Sequence, residues 1–235
     1  IPEDKDTSTG QLGRFLLSYR RTVKDDNKSQ SVSMEVRDVR TGEQLWTREF
    51  PKGVPSENYD TLGESFMTRL PVTDERAKAE LKNNAALSKR LATMKEKEGV
   101  YLLQVFDLGT GRLRGSLLVD TAKDTQSIWY VRAMGDRVAV FDTSWRIRFY
   151  SLASGELLGQ IEGTQAALAK NSELVGIYND KGRLVLYNSR TMQQLRQLDF
   201  QSPVIFARFS DDSRRLFALT HDQTVYVLDV AGSVR

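Results

Sequence analysis

Val36-Arg37-Asp38-Val39-Arg40-Thr41-Gly42 and Val105-Phe106-Asp107-Leu108-Gly109-Thr110-Gly111 repeat one pattern: an apolar strand end, an Asp, two variable residues and a Thr-Gly step. Looser copies follow at Phe149-Tyr150-Ser151-Leu152-Ala153-Ser154-Gly155, at Leu186-Tyr187-Asn188-Ser189-Arg190-Thr191, where Met192 replaces the Gly, and at Val227-Leu228-Asp229-Val230-Ala231-Gly232. Each reads as a hairpin, because Gly supplies the positive φ of a tight connection and Asp, Asn or Ser hydrogen-bonds the turn backbone. The equivalent positions Asp38, Asp107, Ser151, Asn188 and Asp229 lie 69, 44, 37 and 41 residues apart. Three of the four intervals match a four-stranded propeller blade, roughly 40–45 residues long.

Counting strands within each repeat, labelled A to D from the centre outward, fills these intervals. In the last repeat Val204 to Phe209 is strand A, Arg215 to Leu219 strand B and Thr224 to Asp229 strand C, separated by Ser210-Asp211-Asp212-Ser213 and Thr220-His221-Asp222-Gln223 turns. The third repeat reads as Ser127 to Val131, Val138 to Phe141, Ile147 to Tyr150 and Leu157 to Ile161. The fourth reads as a weak, Ala-rich strand A near Thr164 to Lys170, then Glu173 to Tyr178, Leu184 to Tyr187 and Leu195 to Phe200. In the first repeat Leu12 to Tyr19 is taken as strand B, and the last repeat stops after strand C. The expected fold is therefore all-β: one propeller domain over residues 1–235 with about five four-stranded blades, complete or part of a larger ring.

The last repeat resembles a WD-repeat blade, through Asp222, Thr224, Val225, Val227 and Asp229. Its terminal Trp-Asp pair is Leu228-Asp229, and the upstream Gly-His dipeptide is absent from every repeat. Trp46, in Asp38-x-x-Thr41-Gly42-x-x-x-Trp46, resembles the docking segment of quinoprotein propellers, a family whose members carry a redox cofactor. Gly115, Gly159 and Arg196 occupy the equivalent positions, so the repeated tryptophan girdle of that family is missing. The resemblance implies a divergent WD-repeat or quinoprotein-like propeller.

The 69-residue interval is one blade plus an excess, and residues 73–99 are that excess. Asp74 to Leu81 and Ala85 to Met94 are helix formers without Pro or Gly; Thr73 is placed to cap the start, Gly99 to end it, and Asn83-Asn84 to divide it. The apolar stripe is expected at Leu81, Ala85, Leu87, Leu91 and Met94, leaving Lys89 and Arg90 outside it. This helical insertion falls between strands B and C of the second blade. The first blade's B–C connection, Thr22 to Gln30, is also long and polar, so both enlargements fall on one rim. Trp145, Asp180-Lys181 and His221 belong to B–C turns as well. Loops on a rigid scaffold carry most binding residues, so Lys89, Arg90, Trp145, Lys181 and His221 are the candidate partner-binding residues.

Composition narrows the chemistry. The chain of 235 residues has no Cys, which removes disulfides, thiol catalysis, zinc fingers and iron–sulfur clusters. With 34 Lys+Arg against 31 Asp+Glu the net charge is +3, and the basic residues are scattered rather than gathered into the stripe that phosphate binding requires. No apolar run approaches the ~18 residues of a membrane span, and the chain reads as soluble. Beginning at Ile1 without a signal-like stretch, it reads as a processed product or a piece of a longer protein; periplasm and cytoplasm are both compatible.

No catalytic set is legible. His221 sits in a hairpin turn with no evident orienting partner, the Asp25-Asp26 and Asp211-Asp212 pairs read as turn formers, and Gly109-Thr110-Gly111 is a hairpin rather than a phosphate loop. The expectation is a noncatalytic scaffold without cofactor or metal, whose partners are proteins, other subunits of an assembly, rather than nucleic acid or a bilayer. The alternative is a degenerate quinoprotein-like or ligand-sensing propeller holding a small molecule in its central channel.

Overall fold

The computed structural model describes residues 7–23, 30–51, 56–59, 65–94, 98–121, 128–163, 165–170 and 173–232. The chain divides into two compact units, Ile1–Thr125 and Gln126–Arg235. Every described strand pairs antiparallel with its sequence neighbour in five successive meanders, the blades of an all-β, propeller-class fold.

In the first unit, β1 (Thr7–Leu12), β2 (Phe15–Val23), β3 (Gln30–Asp38) and β4 (Gln44–Phe50) form one sheet, and β5 (Ser56–Tyr59), β6 (Ser65–Pro71), β7 (Val100–Asp107) and β8 (Leu113–Asp120) a second. The sequence reading of Leu12 to Tyr19 as a single strand is corrected. Gly13 turns the chain at φ 57, so Leu12 ends β1, an edge strand of its sheet, and Phe15 begins β2. Residues 24–29, which include Asp25 and Asp26, lie outside the described residues.

Two helices, α1 (Glu75–Asn83) and α2 (Ala85–Thr93), lie between β6 and β7, strands B and C of one sheet. Their boundaries differ from the expected ones. Asp74, not Thr73, caps α1, its carboxylate accepting the Arg76 N–H and pairing with the Arg76 guanidinium at 2.8 Å; an anionic cap suits the positive helix end better than a hydroxyl. Asn84 divides the helices and caps the second, its side chain accepting from Leu87 N at 3.1 Å. Breaking the helix resets its phase, so Ala77 is buried with Leu81 and Leu87 while Ala85 is exposed. The second helix ends at Met94; Gly99, at φ 77, belongs to the entry into β7. The buried face packs on Leu70, Val72, Val100, Leu102 and Leu118.

In the second unit, β9 (Ile128–Met134), β10 (Arg137–Asp142), β11 (Arg146–Ser151) and β12 (Leu157–Glu162) form the third sheet of the chain. The fourth is β13 (Gln165–Leu168), β14 (Leu174–Tyr178), β15 (Arg183–Asn188) and β16 (Gln194–Asp199). The fifth is β17 (Val204–Phe209), β18 (Arg215–Thr220) and β19 (Val225–Asp229), three-stranded among the described residues. Apolar clusters join the faces of consecutive sheets: Phe141, Ile147, Phe149 and Ile177 between the third and fourth, Leu184, Leu186, Phe209 and Leu216 between the fourth and fifth.

The repeated turn accounts for its own residues. In the first four sheets the N–H of the Gly-type residue donates to the Asp-type carbonyl at 2.8 Å: Gly42 to Asp38, Gly111 to Asp107, Gly155 to Ser151 and Met192 to Asn188. The Asp-type side chain accepts an amide inside the turn in each, from Arg40, Thr110, Ser154, and Arg190 with Thr191. The Thr or Ser hydroxyl accepts from the residue two further on. A bulge in the C–D pairing follows in all four. Met192 keeps the left-handed conformation of the Gly it replaces, at φ 59.

Two of these turns lock neighbouring sheets by opposite means. In the first unit Trp46 of β4 lies over the next sheet's turn, its indole N–H donating to Leu108 O at 2.8 Å, and a Cβ on Gly111 would sit 2.8 Å from the ring. In the second unit the large residue is on the turn and the small one on the strand: Met192 reaches back so that a Cβ on Gly159 would fall 2.4 Å from its Cγ. Either way one side chain fills the gap, as close packing demands.

Candidate functional site

In an antiparallel meander the start of strand A, the B–C turn and the end of strand D share one edge, whereas the A–B and C–D turns share the other. In the second unit the D–A links are short and bonded to the B–C turns: Gly163 N donates to Trp145 O at 2.8 Å, Phe200 N to Gly182 O at 2.7 Å and His221 N to Pro203 O at 2.8 Å. The B–C edges of the third, fourth and fifth sheets thus form one rim.

That rim carries apolar surface that the core does not absorb. Trp129 and Trp145 on the third sheet and Ile205, Phe206 and Val225 on the fifth are each about half exposed, from 47% at Ile205 to 59% at Val225. A β-bulge exposes two of them. In β9 the pairing steps from Tyr130 opposite Phe141 to Ile128 opposite Asp142, leaving Trp129 out of register; in β17 it steps from Phe206 to Val204 past Ile205. An unpaired extra residue on the strand leaves the inward alternation and points its neighbour's side chain to a new face. Trp129 and Trp145 meet at 5.6 Å between ring centres, inclined at 74°, and Trp129 meets Tyr130 at 5.8 Å.

Trp145 adds a backbone observation. It is left-handed, φ 59, in a turn whose twin in the fourth sheet carries Gly182 at φ 75. The twins match bond for bond: Asp142 Oδ1 accepts from Ser144 N at 2.9 Å and Arg146 N at 3.2 Å, and Asn179 Oδ1 accepts from Lys181 N at 3.0 Å and Arg183 N at 3.2 Å. A bulky residue with positive φ is a genuine outlier that costs roughly 1–2 kcal/mol. Strain of this kind persists where something else selects the residue.

The opposite rim of the same unit carries polar pairing, with a half-exposed Leu157 at the start of β12. Arg137, nearly buried, donates to Ser189 Oγ and pairs with Asp136 at 3.1 Å; Arg190 bridges Glu173 at 2.5 Å and Asp136 at 3.3 Å. The Arg190 guanidinium holds the Glu173 carboxyl below its ordinary pKa. A polar cleft of ≈ 670 Å³ lies at the end of the fifth sheet, lined by Ser210, Asp211, Asp212, Arg214, Arg215, Phe217 and Asp229. Asp212 there accepts from the Ser210 hydroxyl and from Arg214 N, contacts that lower its pKa and make it a turn former.

Of the candidates read from sequence, Trp145, Lys181 and His221 fall on the B–C turns of this one rim, and all are exposed. Lys89, exposed, and Arg90, half-buried, belong to α2 in the other unit. Asp222, next to His221, is engaged by the Thr220 hydroxyl and Thr224 N. Among the described residues, no three acidic or histidine side chains gather to hold a metal. Trp129, Ile205 and Phe206 are absent from the sequence reading, which places candidate residues only in the turns and the helical insertion. The signal was available: Ile128-Trp129-Tyr130 and Val204-Ile205-Phe206 each place three large apolar residues in succession, and a period-two strand cannot bury all three on one face.

No protein-family model matches the chain, and no curated protein matches its sequence. Among solved structures it is similar to the crystal structure of BamB from Moraxella catarrhalis, at 16% identity and a TM-score of 0.48. The match covers 97% of this chain and 59% of that one, so the chain spans about three-fifths of that structure's length.

Proposed function

We propose that this chain is a noncatalytic propeller that docks protein partners on the B–C rim of its second unit, as a subunit or module of a larger assembly. The observation that supports it is the concentration of half-exposed Trp129, Trp145, Ile205, Phe206 and Val225 on one rim, whereas at the opposite rim a half-exposed Leu157 lies on an edge that carries ion-paired side chains. Exposed apolar surface gathered on one face marks an interaction site, whereas singly scattered residues do not. Tryptophan is the residue type most enriched where binding energy concentrates.

Panning a displayed random-peptide library against the chain tests this. Enriched ligands are expected to lose at least tenfold in affinity, about 1.4 kcal/mol, for Trp129→Ala and for Phe206→Ala. Ligands indifferent to both substitutions would remove the rim from the account. A second reading, a quinoprotein-like or ligand-sensing propeller with a small molecule in its channel, is favoured by one feature, the Trp46 indole docked on the next sheet's turn. A melting temperature raised by any compound in a panel of metabolites and quinone cofactors would favour it.

A further inference from the structure

Resting on the rim reading above, we infer that the occupant of the Trp129–Trp145 corner is a basic side chain from an extended segment of a partner protein. The two indole rings meet edge to face, inclined at 74°, and both are half open to solvent. The face of an indole attracts a cation within about 6 Å of its centre, and Trp does so best among the aromatic residues. The same aromatic cluster already holds a guanidinium on its inner side, where Arg132 lies 5.1 Å over the Tyr130 ring and 6.0 Å from Phe141.

Charge on the rim selects the sign of the ligand. Arg146 and Arg148 share the buried carboxylate of Asp142, at 3.0 and 3.5 Å, and Arg183 pairs with Asp199 at 3.2 Å. Of the charges at loop level with no ion pair among the described residues, three are the exposed carboxylates of Glu162, Asp180 and Asp222, and one is the ammonium of Lys181. Glu162 is the strand neighbour of Arg146, one residue before the Gly163 amide that bonds Trp145 O. Exposed carboxylates on this rim complement Arg or Lys and repel phosphate, which sets the segment apart from nucleic acid and from an anionic bilayer. Ile205, Phe206 and Val225, further along the rim, suit apolar residues of the same segment.

The test is an anisotropy titration of the intact chain with dye-labelled synthetic peptides: one alternating Arg with Leu, a second with Glu for each Arg, a third with Pro for each Arg. The Arg peptide is expected to bind saturably, about tenfold more weakly to Trp145→Gly and to Trp129→Ala and several-fold more weakly to Glu162→Gln. Unfolding midpoints of the three variants, measured alongside, establish that each is folded. Equal binding of the Glu or Pro peptide, or an Arg peptide indifferent to Trp145→Gly, overturns the inference. Library ligands that depend on the rim yet carry no basic residue would leave the rim reading standing and remove this one alone.

Discussion

The B–C turns of the third and fourth sheets are the same piece of backbone put to different ends. In both, an Asx side chain gathers the amides two and four residues on, the next residue but two is left-handed, and its carbonyl accepts the first amide beyond strand D. The fourth sheet builds it with Asn179 and Gly182, the residue types for which the conformation is cheapest. The third uses Asp142, whose carboxylate is fully buried and answered by Arg146 and Arg148, and a half-exposed Trp145. Local stability explains the fourth turn completely. It does not explain the half-exposed, left-handed Trp145 of the third, for which the proposed docking role would account.

If that contrast is sound, the largest effect comes from the buried carboxylate. Asp142→Ala leaves two guanidinium groups beside an apolar core and is expected to lose about 3–5 kcal/mol by urea denaturation, whereas Asn179→Ala, which removes two amide contacts at a half-buried site, loses about 1 kcal/mol. Similar losses at the two sites would erase the distinction between them. Next in size is Gly182→Ala. Its Cβ would lie 2.5 Å from Phe200 O with φ at 75, and a loss of about 2 kcal/mol or more is expected.

Trp145→Gly makes the third turn into a copy of the fourth. Relief of the left-handed tryptophan, about 1–2 kcal/mol, is offset by the backbone entropy of Gly, about 0.5–1 kcal/mol, and by the lost ring contact, about 0.5–1.5 kcal/mol. Stability should therefore stay within about 1 kcal/mol of the parent while affinity for the rim's ligand falls about tenfold. A large loss of stability would mean that Trp145 is there to hold the fold.

The same contrast marks what sequence could and could not reveal. Hairpin residues such as Asp38 and Asp107 are legible because their side chains bond within the turn, so the local string carries the cause. Most strand limits followed from alternation, that between β1 and β2 excepted, and the insertion from its helix formers. The Met192 turn was legible as a departure, but the Gly159 opposite it was not, since that compensation comes from a neighbouring sheet 33 residues away in sequence. The rim was half legible for a similar reason. Trp145 and Lys181 announce themselves by lying in turns, while Trp129 and Ile205 reach the surface through bulges, which depend on the partner strand's register.

The third B–C turn of this unit, Thr220 to Thr224, gives the smallest and most selective test. Here the carboxylate is Asp222, exposed, accepting from the Thr220 hydroxyl and Thr224 N, and those contacts, the Thr220 hydroxyl foremost, lower its pKa. A carboxylate with a depressed folded-state pKa stabilises above its unfolded value, about pH 4, and that contribution is lost as pH falls through the lower, folded value. Acidification from about pH 5 to about pH 3 should therefore speed hydrogen exchange at the Thr224 amide, after correction for intrinsic rates, while the Arg183 amide, held by the non-titrating Asn179, keeps its protection. Parallel loss at both amides would show global acid unfolding instead, and with it that the three turns are not independently built.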